Sequence, residues 1–218
     1  MKDDKLIQYY NDRASEYEQI YFREVPERRE ELRQMGEYLR EFATGKDVLD
    51  LCCGTGYWTA IMGQTARSIV ASDVSFEMLE EARKKEYACP TVFMQADLFD
   101  LPFLAESFDL ITLGYWYSHH SCDDYETLYD ILRAPLRAGA KIWMCDNNPP
   151  AEGAKTDSVG KDERGNNIKA RWTSEGREYH IIKNYFSEKQ LRELIEPHFA
   201  IETFVFKPYY WWMVLGER

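Results

Sequence analysis

Residues 47–56 read DVLDLCCGTG, a short apolar run that ends in a glycine turn. Apolar runs of this length that stop at a turn are typical of strands buried in a parallel sheet. Glycine lets the chain turn tightly and lets a ligand approach the backbone. A helical stretch follows from Tyr57, so the segment predicts a strand, a ligand-binding turn and a helix.

The segments on the carboxyl side of this turn alternate between strand and helix, which predicts a parallel sheet with helices on both faces. The last two strands are joined only by the short turn at residues 207–209, so they must be antiparallel to each other. The predicted strands lie at residues 47–52, 68–72, 91–96, 108–113, 140–145, 201–206 and 210–215.

Two regions fall outside this alternation. Residues 1–45 have helical spacing throughout. Residues 147–176 are polar and rich in glycine, and residues 168–172 can form a hairpin with residues 179–182. We therefore expect a separate N-terminal helical segment at 1–45, a sheet domain at 46–218, and an insertion in that domain at about 147–184.

Composition limits the partners and the compartment. The chain has 218 residues and a formal net charge of -11, which repels phosphate backbones, so we expect no nucleic acid and no membrane partner. No run approaches the roughly 20 apolar residues that span a bilayer, and residues 1–8 lack the apolar core of a secretory signal. The five cysteines show no metal-ligand spacing. We expect a cytoplasmic protein with reduced thiols and no metal.

Acidic residues end the first three predicted strands: Asp50, Asp73 and Asp97. The carboxyl ends of parallel strands meet at one edge of the sheet, where ligands bind. A dinucleotide site would have a third glycine where Thr59 stands, and a P-loop lysine is absent. An acid at the end of a second strand can accept both hydroxyls of a ribose. Three acids beside a glycine turn therefore favour a cationic nucleoside as ligand.

In this arrangement the chain resembles the class I S-adenosylmethionine-dependent methyltransferases, in order from residue 47 to about residue 145. The resemblance implies an α/β fold with a Rossmann-like seven-stranded sheet of order 3-2-1-4-5-7-6, in which the last strand is antiparallel. It implies S-adenosyl-L-methionine as cofactor and S-adenosyl-L-homocysteine as product. The one departure in the loop is Cys52, where the family usually has Gly or Ala.

The resemblance also implies cofactor-binding residues. The loop around the methionine part is matched at Asp50, Cys52, Gly54, Thr55 and Gly56; the ribose and adenine positions are matched at Asp73, Val74, Met78, Asp97 and Leu98; Gly114 is matched near the sulfonium.

The sequence YYNDRASEY at residues 9–17 is similar to an aromatic-rich stretch that folds over the cofactor in small-molecule methyltransferases. This likeness makes residues 1–45 an N-terminal lid, with Tyr9, Tyr17 and Tyr21 as candidate contacts, although the tyrosines could equally pack in the core. Arg28 matches an arginine that pairs with the methionine carboxylate in some members. Its alternative role is that of an exposed helix charge.

The acceptor site is expected in GYWYSHH, residues 114–120, which follows the fourth strand. Aromatic walls favour an apolar or cationic acceptor. His119, being titratable near neutral pH, is the candidate general base, and its alternative role is to bond a backbone group. A group of bacterial class I members has an Asp-Asn pair and a late Lys-Asn-Tyr/Phe in the cover insertion, as here at residues 146–147 and 183–185. The predicted acceptor-binding residues are Tyr115, Trp116, Tyr117, His120, Asn147 and Tyr185.

The predicted function is methyl transfer from S-adenosylmethionine to an O or N atom of a small molecule, by a monomer or a homodimer. A protein or RNA methyltransferase is less favoured, because residues 114–117 read GYWY instead of Asn/Asp-Pro-Pro-Tyr. A catalytically silent S-adenosylmethionine-binding module is the alternative from another functional class. A nicotinamide enzyme is disfavoured by Thr59 and by the acid at Asp50.

Overall fold

The computed structural model describes residues 4–22, 24–101, 107–122, 125–149 and 158–218. None of the helices in these ranges has the length and apolar content needed to cross a bilayer. The helices are α1 (Asp4–Arg13), a 3-10 helix (Ala14–Phe22), α2 (Pro26–Phe42), α3 (Tyr57–Met62), α4 (Phe76–Arg83), a short 3-10 turn (Tyr117–His119), α5 (Tyr125–Arg133) and α6 (Glu188–Ile195).

The strands form a large and a small sheet. They are β1 (Asp47–Leu51), β2 (Ser68–Asp73), β3 (Thr91–Gln95), β4 (Phe108–Gly114), β5 (Leu136–Asn147), β6 (Ser158–Lys161), β7 (Asn167–Trp172), β8 (Glu178–Ile182), β9 (Ala200–Phe206) and β10 (Tyr210–Gly216).

The large sheet has the order β3-β2-β1-β4-β5-β10-β9, and β10 runs antiparallel to both of its neighbours. Counting only the strands of this sheet along the chain, the order is 3-2-1-4-5-7-6, so the predicted fold is confirmed. Parallel strands β1 to β4 bring their carboxyl ends to one edge. The glycine turn follows β1, Asp50 and Asp73 lie near the carboxyl ends of β1 and β2, and Asp97 follows β3.

Apolar side chains alternate between the two faces of the central strands, so a hydrophobic core forms on each face of the large sheet. Leu49 and Ile111 point to the face covered by α5 and α6. Val48, Leu110 and Trp143 point to the opposite face, where α2 and α3 pack. Because side chains alternate along a strand, Asp50 shares its face with Val48 and therefore lies under α3.

The predicted hairpin is confirmed as β7 and β8, which pair Ala170 with His180, and β6 adds a third strand that the sequence did not predict. We call this small sheet the cover sheet (β6–β8). Residues 150–157 of the predicted insertion lie outside the described residues.

A buried ion pair attaches the cover sheet to the large sheet. Lys183, directly after β8, lies 2.9 Å from a carboxylate oxygen of Asp146 in β5, with side-chain exposures of 7% and 1%. The Lys183 ammonium also donates to the Ser118 hydroxyl, and the other Asp146 oxygen accepts from the Ser118 N–H at 2.9 Å. Burial opposes ionisation of Asp146, but the charge and hydrogen bond of Lys183, together with the Ser118 N–H and the nearby His119, lower the pKa of this carboxyl.

We expect Lys183→Met to destabilise the protein by about 3–5 kcal/mol, because it leaves the buried Asp146 carboxylate without its cation. Urea unfolding followed by circular dichroism measures the change. The matched control is Lys189→Met, whose exposed ammonium should contribute no more than about 0.5 kcal/mol. A loss below about 1 kcal/mol for Lys183→Met would show that the pair does not anchor the cover sheet.

Candidate functional site

A cavity of about 660 Å³ opens at the carboxyl ends of β1 to β4, under α1 and the 3-10 helix that follows it. It joins the glycine turn and the strand-end acids to the aromatic segment after β4. The residues predicted from the sequence that line it are Tyr17, Tyr21, Asp50, Cys52, Gly54, Asp73, Val74, Met78, Asp97, Leu98, Gly114, Tyr115, Trp116, His119 and His120.

The glycine turn is built from three residues with positive φ. Gly54 and Gly56 have φ values of 55° and 75°, and Cys52 has a φ of 52°. This region favours glycine because a Cβ atom crowds the following carbonyl. The conformation places a strained cysteine at the wall of the cavity.

Asp50 is a buried carboxyl group held between two hydroxyls. Its oxygens accept hydrogen bonds from Thr59 at 2.6 Å and from Thr112 at 2.7 Å. Burial raises the pKa of Asp50 to about 6, the hydroxyl bonds oppose the rise, and the nearby Asp73 adds to it. No Lys or Arg in the described part of the chain pairs with this carboxyl.

Asp73 connects the glycine turn to α4. One carboxylate oxygen accepts from the Gly54 N–H at 2.8 Å, and the other accepts from the Ser75 N–H at 2.9 Å. Ser75 in turn caps α4 by accepting from the Met78 N–H, as the sequence predicted. Burial raises the pKa of Asp73, although these N–H bonds oppose the rise. Each oxygen keeps a further lone pair, which can accept a ligand hydroxyl.

Asp97 begins the wall opposite Asp73. Its carboxylate accepts from the Phe99 N–H at 3.0 Å, which fixes the turn after β3. Leu98 is buried, and Phe99 and Met78 line the same part of the cavity. An acid beside an apolar slot suits a flat ring with an exocyclic amine.

The segment after β4 turns sharply into the aromatic part of the cavity. Tyr115 has a φ of 59°, the second non-glycine residue in the left-handed region among the described residues. A Cβ atom on Gly114 would lie 2.6 Å from the Trp58 ring, so only glycine fits beneath this indole. Trp116 and Phe99 pack around the buried ring of His120.

His119 has protein partners at both ring nitrogens. Nδ1 lies 2.6 Å from the carbonyl oxygen of Ile182, and Nε2 lies 3.0 Å from the hydroxyl oxygen of Tyr10. Burial, with Lys183 nearby, holds the pKa of His119 well below its ordinary value. The imidazole is therefore neutral at neutral pH, contrary to the expectation that it titrates there.

The N-terminal segment forms the roof of the cavity. Tyr10 and Tyr17 line it with edge-on rings, and Tyr21 stacks on Tyr57. Glu18 accepts a hydrogen bond from Thr55 of the glycine turn and pairs with Lys85.

A second contact fixes the roof to the cover sheet. Asp12 accepts hydrogen bonds from Arg177 and from the Tyr179 hydroxyl, both at 2.6 Å.

Seven predicted residues do not line the cavity. Tyr9 is buried against Tyr10 and Tyr179, and Arg28 donates to the Tyr210 hydroxyl. Tyr117 packs in the core with its hydroxyl bonded to Tyr129. The remaining four are Thr55, Gly56, Asn147 and Tyr185. The Thr55 hydroxyl donates to Glu18, and Gly56 packs against Ala82. Asn147 donates to Asp146, and the Tyr185 hydroxyl accepts from Lys169.

Sequence reasoning missed Tyr10, Trp58, Phe99 and Ser75, all of which line the cavity. Tyr10 had a weak signal, because it lies four residues after Leu6 and such spacing shares one helical face, although this alone does not place it rather than Tyr9 against His119. Trp58 and Phe99 had none, since aromatic residues beside a turn are as typical of cores as of sites.

Comparisons with known proteins agree with this geometry. A family model described as "Methyltransferase domain" matches residues 48–139. A demethylmenaquinone methyltransferase of Lactococcus lactis is 29% identical over 161 residues, which cover 69% of this chain and 61% of the relative. Another, of Clavibacter sepedonicus, is 34% identical over 107 residues, which cover 49% of this chain and 43% of that protein. The chain thus spans about half the length of these curated relatives.

Solved structures match over nearly the whole chain. The structure of a DhpI–SAH complex superposes with a TM-score of 0.78 and 25% identity, covering 98% of this chain and 96% of the other. A 1,6-didemethyltoxoflavin-N1-methyltransferase of Burkholderia thailandensis has a TM-score of 0.63 and 19% identity, covering 98% of this chain and 87% of the other, and shows a shared fold.

We expect Asp50→Asn to stabilise the ligand-free protein by about 1–3 kcal/mol at pH 7. The folded state binds a proton at Asp50 more tightly than the unfolded state does, so ionisation destabilises the fold above pH about 6. Asn keeps hydrogen bonds to Thr59 and Thr112, whose hydroxyls can donate or accept.

Urea unfolding at several pH values measures the stability gained by Asp50→Asn. This gain should shrink as the pH falls from about 6, the pKa of Asp50 in the folded protein, to about 4, its pKa in the unfolded chain. The control is Asp130→Asn, an exposed carboxyl that pairs with Arg133. A gain that does not depend on pH would exclude the ionised Asp50 carboxyl as its source.

Proposed function

We propose that this chain, which belongs to the class I S-adenosylmethionine-dependent methyltransferases, transfers a methyl group from S-adenosylmethionine to an O or N atom of a small molecule. The observation that carries the proposal is a cavity that joins three strand-end carboxyls, none with a Lys or Arg partner among the described residues, to a chamber of aromatic and histidine side chains.

The carboxyl end of β1 fits the cationic part of the cofactor. Asp50 is buried and has no cation of its own among the described residues. The ammonium of the methionine part would provide one, and its charge would favour the ionised carboxyl. Cys52 and Gly54, in the left-handed region, keep the backbone close to that part of the cavity.

The nucleoside fits the next two strand ends. Asp73, with free lone pairs on both oxygens, would accept the two ribose hydroxyls. Asp97 would accept from the adenine amine, and Leu98 would donate its backbone N–H to the ring. Met78 and Phe99 supply apolar walls for the base.

Bound S-adenosylmethionine would supply a methyl carbon activated by its sulfonium. An acceptor lone pair would form the new bond as the carbon–sulfur bond breaks, the sulfur would keep the bonding electron pair, and the O–H or N–H proton of the methylated acceptor would pass to solvent. The protein aligns the two partners and excludes water. Gly114, Tyr115 and Trp116 form the wall between the two halves of the cavity. The roof and the cover sheet close it from above.

A small acceptor is supported by the enclosure of the cavity. The roof is fixed at Thr55 by Glu18 and to the cover sheet by Asp12. A polymer would have to displace this roof, whereas a small molecule shares the 660 Å³ with the cofactor. The names of the curated relatives also specify a small molecule, demethylmenaquinone.

We expect calorimetry to show S-adenosylhomocysteine binding in the micromolar range, and Asp73→Asn to weaken it by about 1–3 kcal/mol through loss of a charged hydrogen-bond acceptor. Asp130→Asn is the control and should bind as the wild type does. Absence of binding to the wild-type protein would contradict the cofactor assignment. Unchanged binding by Asp73→Asn, with wild-type binding intact, would contradict only the ribose assignment.

We expect turnover as well as binding. The protein is incubated with S-adenosylmethionine carrying a deuterated methyl group and an extract of small metabolites, and mass spectrometry identifies products that gain the label on O or N. Asp73→Asn, with weakened cofactor binding, should give less labelled product. Binding of S-adenosylhomocysteine without any labelled product would favour the catalytically silent module.

A further inference from the structure

The hydrogen-bond chain through His119 has a fixed direction. The carbonyl oxygen of Ile182 can only accept, so Nδ1 of His119 carries the ring proton. The neutral ring then leaves Nε2 as an acceptor, and the Tyr10 hydroxyl must be the donor in the 3.0 Å contact. Both nitrogens of His119 are occupied by the protein.

Tyr10 is therefore left with lone pairs only, and one of them is shared with the neighbouring Tyr17 hydroxyl, which is within hydrogen-bond reach. Its single hydroxyl proton is directed to His119, and its side chain lines the cavity. Burial, with Tyr17 nearby, raises the pKa of Tyr10, so the phenol keeps its proton. An oxygen in this state can accept a hydrogen bond from a ligand but cannot donate one.

The surroundings keep His119 in this orientation. Ile182 is the last residue of β8, and the next residue, Lys183, forms the buried pair with Asp146. Asn184 is also held in place, because its backbone N–H donates to the Ser118 carbonyl and its side-chain amide donates to the His120 carbonyl. The cover sheet thus fixes the carbonyl that orients His119.

We propose that Tyr10 is the residue that contacts the methyl acceptor, by accepting a hydrogen bond from an acceptor N–H or O–H, and that His119 is a positioning residue acting through Tyr10. The bond would hold the acceptor atom with a lone pair free to point at the methyl carbon. It would favour hydroxyl and primary or secondary amine acceptors over tertiary amines and thioethers, which lack a proton to donate. This inference rests on the proposed function.

Sinefungin is a direct probe of this contact. In this analogue of S-adenosylmethionine, a carbon bearing an amine replaces the methylated sulfur, so its ammonium group stands where the transferred methyl would be. That group would donate an N–H to the Tyr10 oxygen. S-adenosylhomocysteine has neither the methyl nor the amine and serves as the reference ligand.

The experiment measures the dissociation constants of both ligands by calorimetry and compares their ratio between variants. Tyr10→Phe should weaken sinefungin binding by about tenfold or more, because a hydrogen bond to a charged group is lost. Binding of S-adenosylhomocysteine should change by less than about threefold. The matched control is Tyr179→Phe, which removes a hydroxyl bonded to Asp12 of the same helix, outside the cavity.

Two variants of His119 separate positioning from direct contact. His119→Asn keeps an oxygen that can accept from Tyr10, and it should retain most of the preference for sinefungin. His119→Leu removes the acceptor, frees the Tyr10 proton to turn into the cavity, and should lower the ratio as Tyr10→Phe does. The double variant Tyr10→Phe/His119→Leu should be no worse than either single change.

Each outcome is decisive. An unchanged ratio in Tyr10→Phe, with normal S-adenosylhomocysteine binding, would overturn this inference and leave the proposed function intact. A ratio lowered by His119→Leu but not by Tyr10→Phe would assign the contact to His119 itself. Failure of the wild-type protein to bind either ligand would refute the proposed function. If Tyr10→Phe did not fold, Tyr10→Leu would take its place, because it also removes the hydroxyl that is compared with the His119 variants.

Discussion

The burial of the Asp50 carboxyl between two threonine hydroxyls is the constraint from which the ligand site follows. Thr59 comes from α3 and Thr112 from β4, so the acid is held by the helix after the glycine turn and by the strand next to β1. Neutral hydroxyls solvate a carboxylate less well than water does, and burial raises its pKa to about 6. The fold thus keeps a carboxyl group that an external cation would stabilise.

The buried carboxyls near the two halves of the cavity differ in whether the protein itself supplies a cation for them. On the cofactor side, Asp50 and Asp73 are buried and pair with hydroxyl and N–H groups, with no cation among the described residues. On the acceptor side, Asp146 is neutralised by Lys183 within the protein, and the neighbouring His119 is held neutral. Of these three buried carboxyls, only the two beside the glycine turn have no Lys or Arg partner in the described part of the chain. A positively charged cofactor and an uncharged acceptor N–H or O–H suit this division.

Much of the fold could be predicted because it rests on local patterns. The strand order follows from alternating apolar runs and from the resemblance carried by the turn, and the Ser75 cap and the β7–β8 hairpin follow from short motifs. The strand-end acids converge because parallel strands share an edge. Each of these inferences needs only neighbours in sequence and the geometry of a sheet.

The rest of the site depends on contacts between distant segments. Asp146 and Lys183 stood out as parts of motifs, but their pairing required the path of the cover sheet. Tyr9 and Tyr10 are adjacent and chemically identical, and only the docking of α1 decides which one meets His119. The change from α-helix to 3-10 helix at Ala14 also alters the spacing that would align Tyr17 with either of them.

Backbone strain marks where the two halves meet. Cys52 directly follows β1 and Tyr115 directly follows β4, and these strands are neighbours in the sheet. A non-glycine residue in the left-handed region costs about 1–2 kcal/mol, so both positions are maintained against a local preference. Both turn the chain away from the strand axis and line the cavity. The two strained residues therefore lie side by side at the wall of the cavity, one next to the strand-end acids and the other in the aromatic segment.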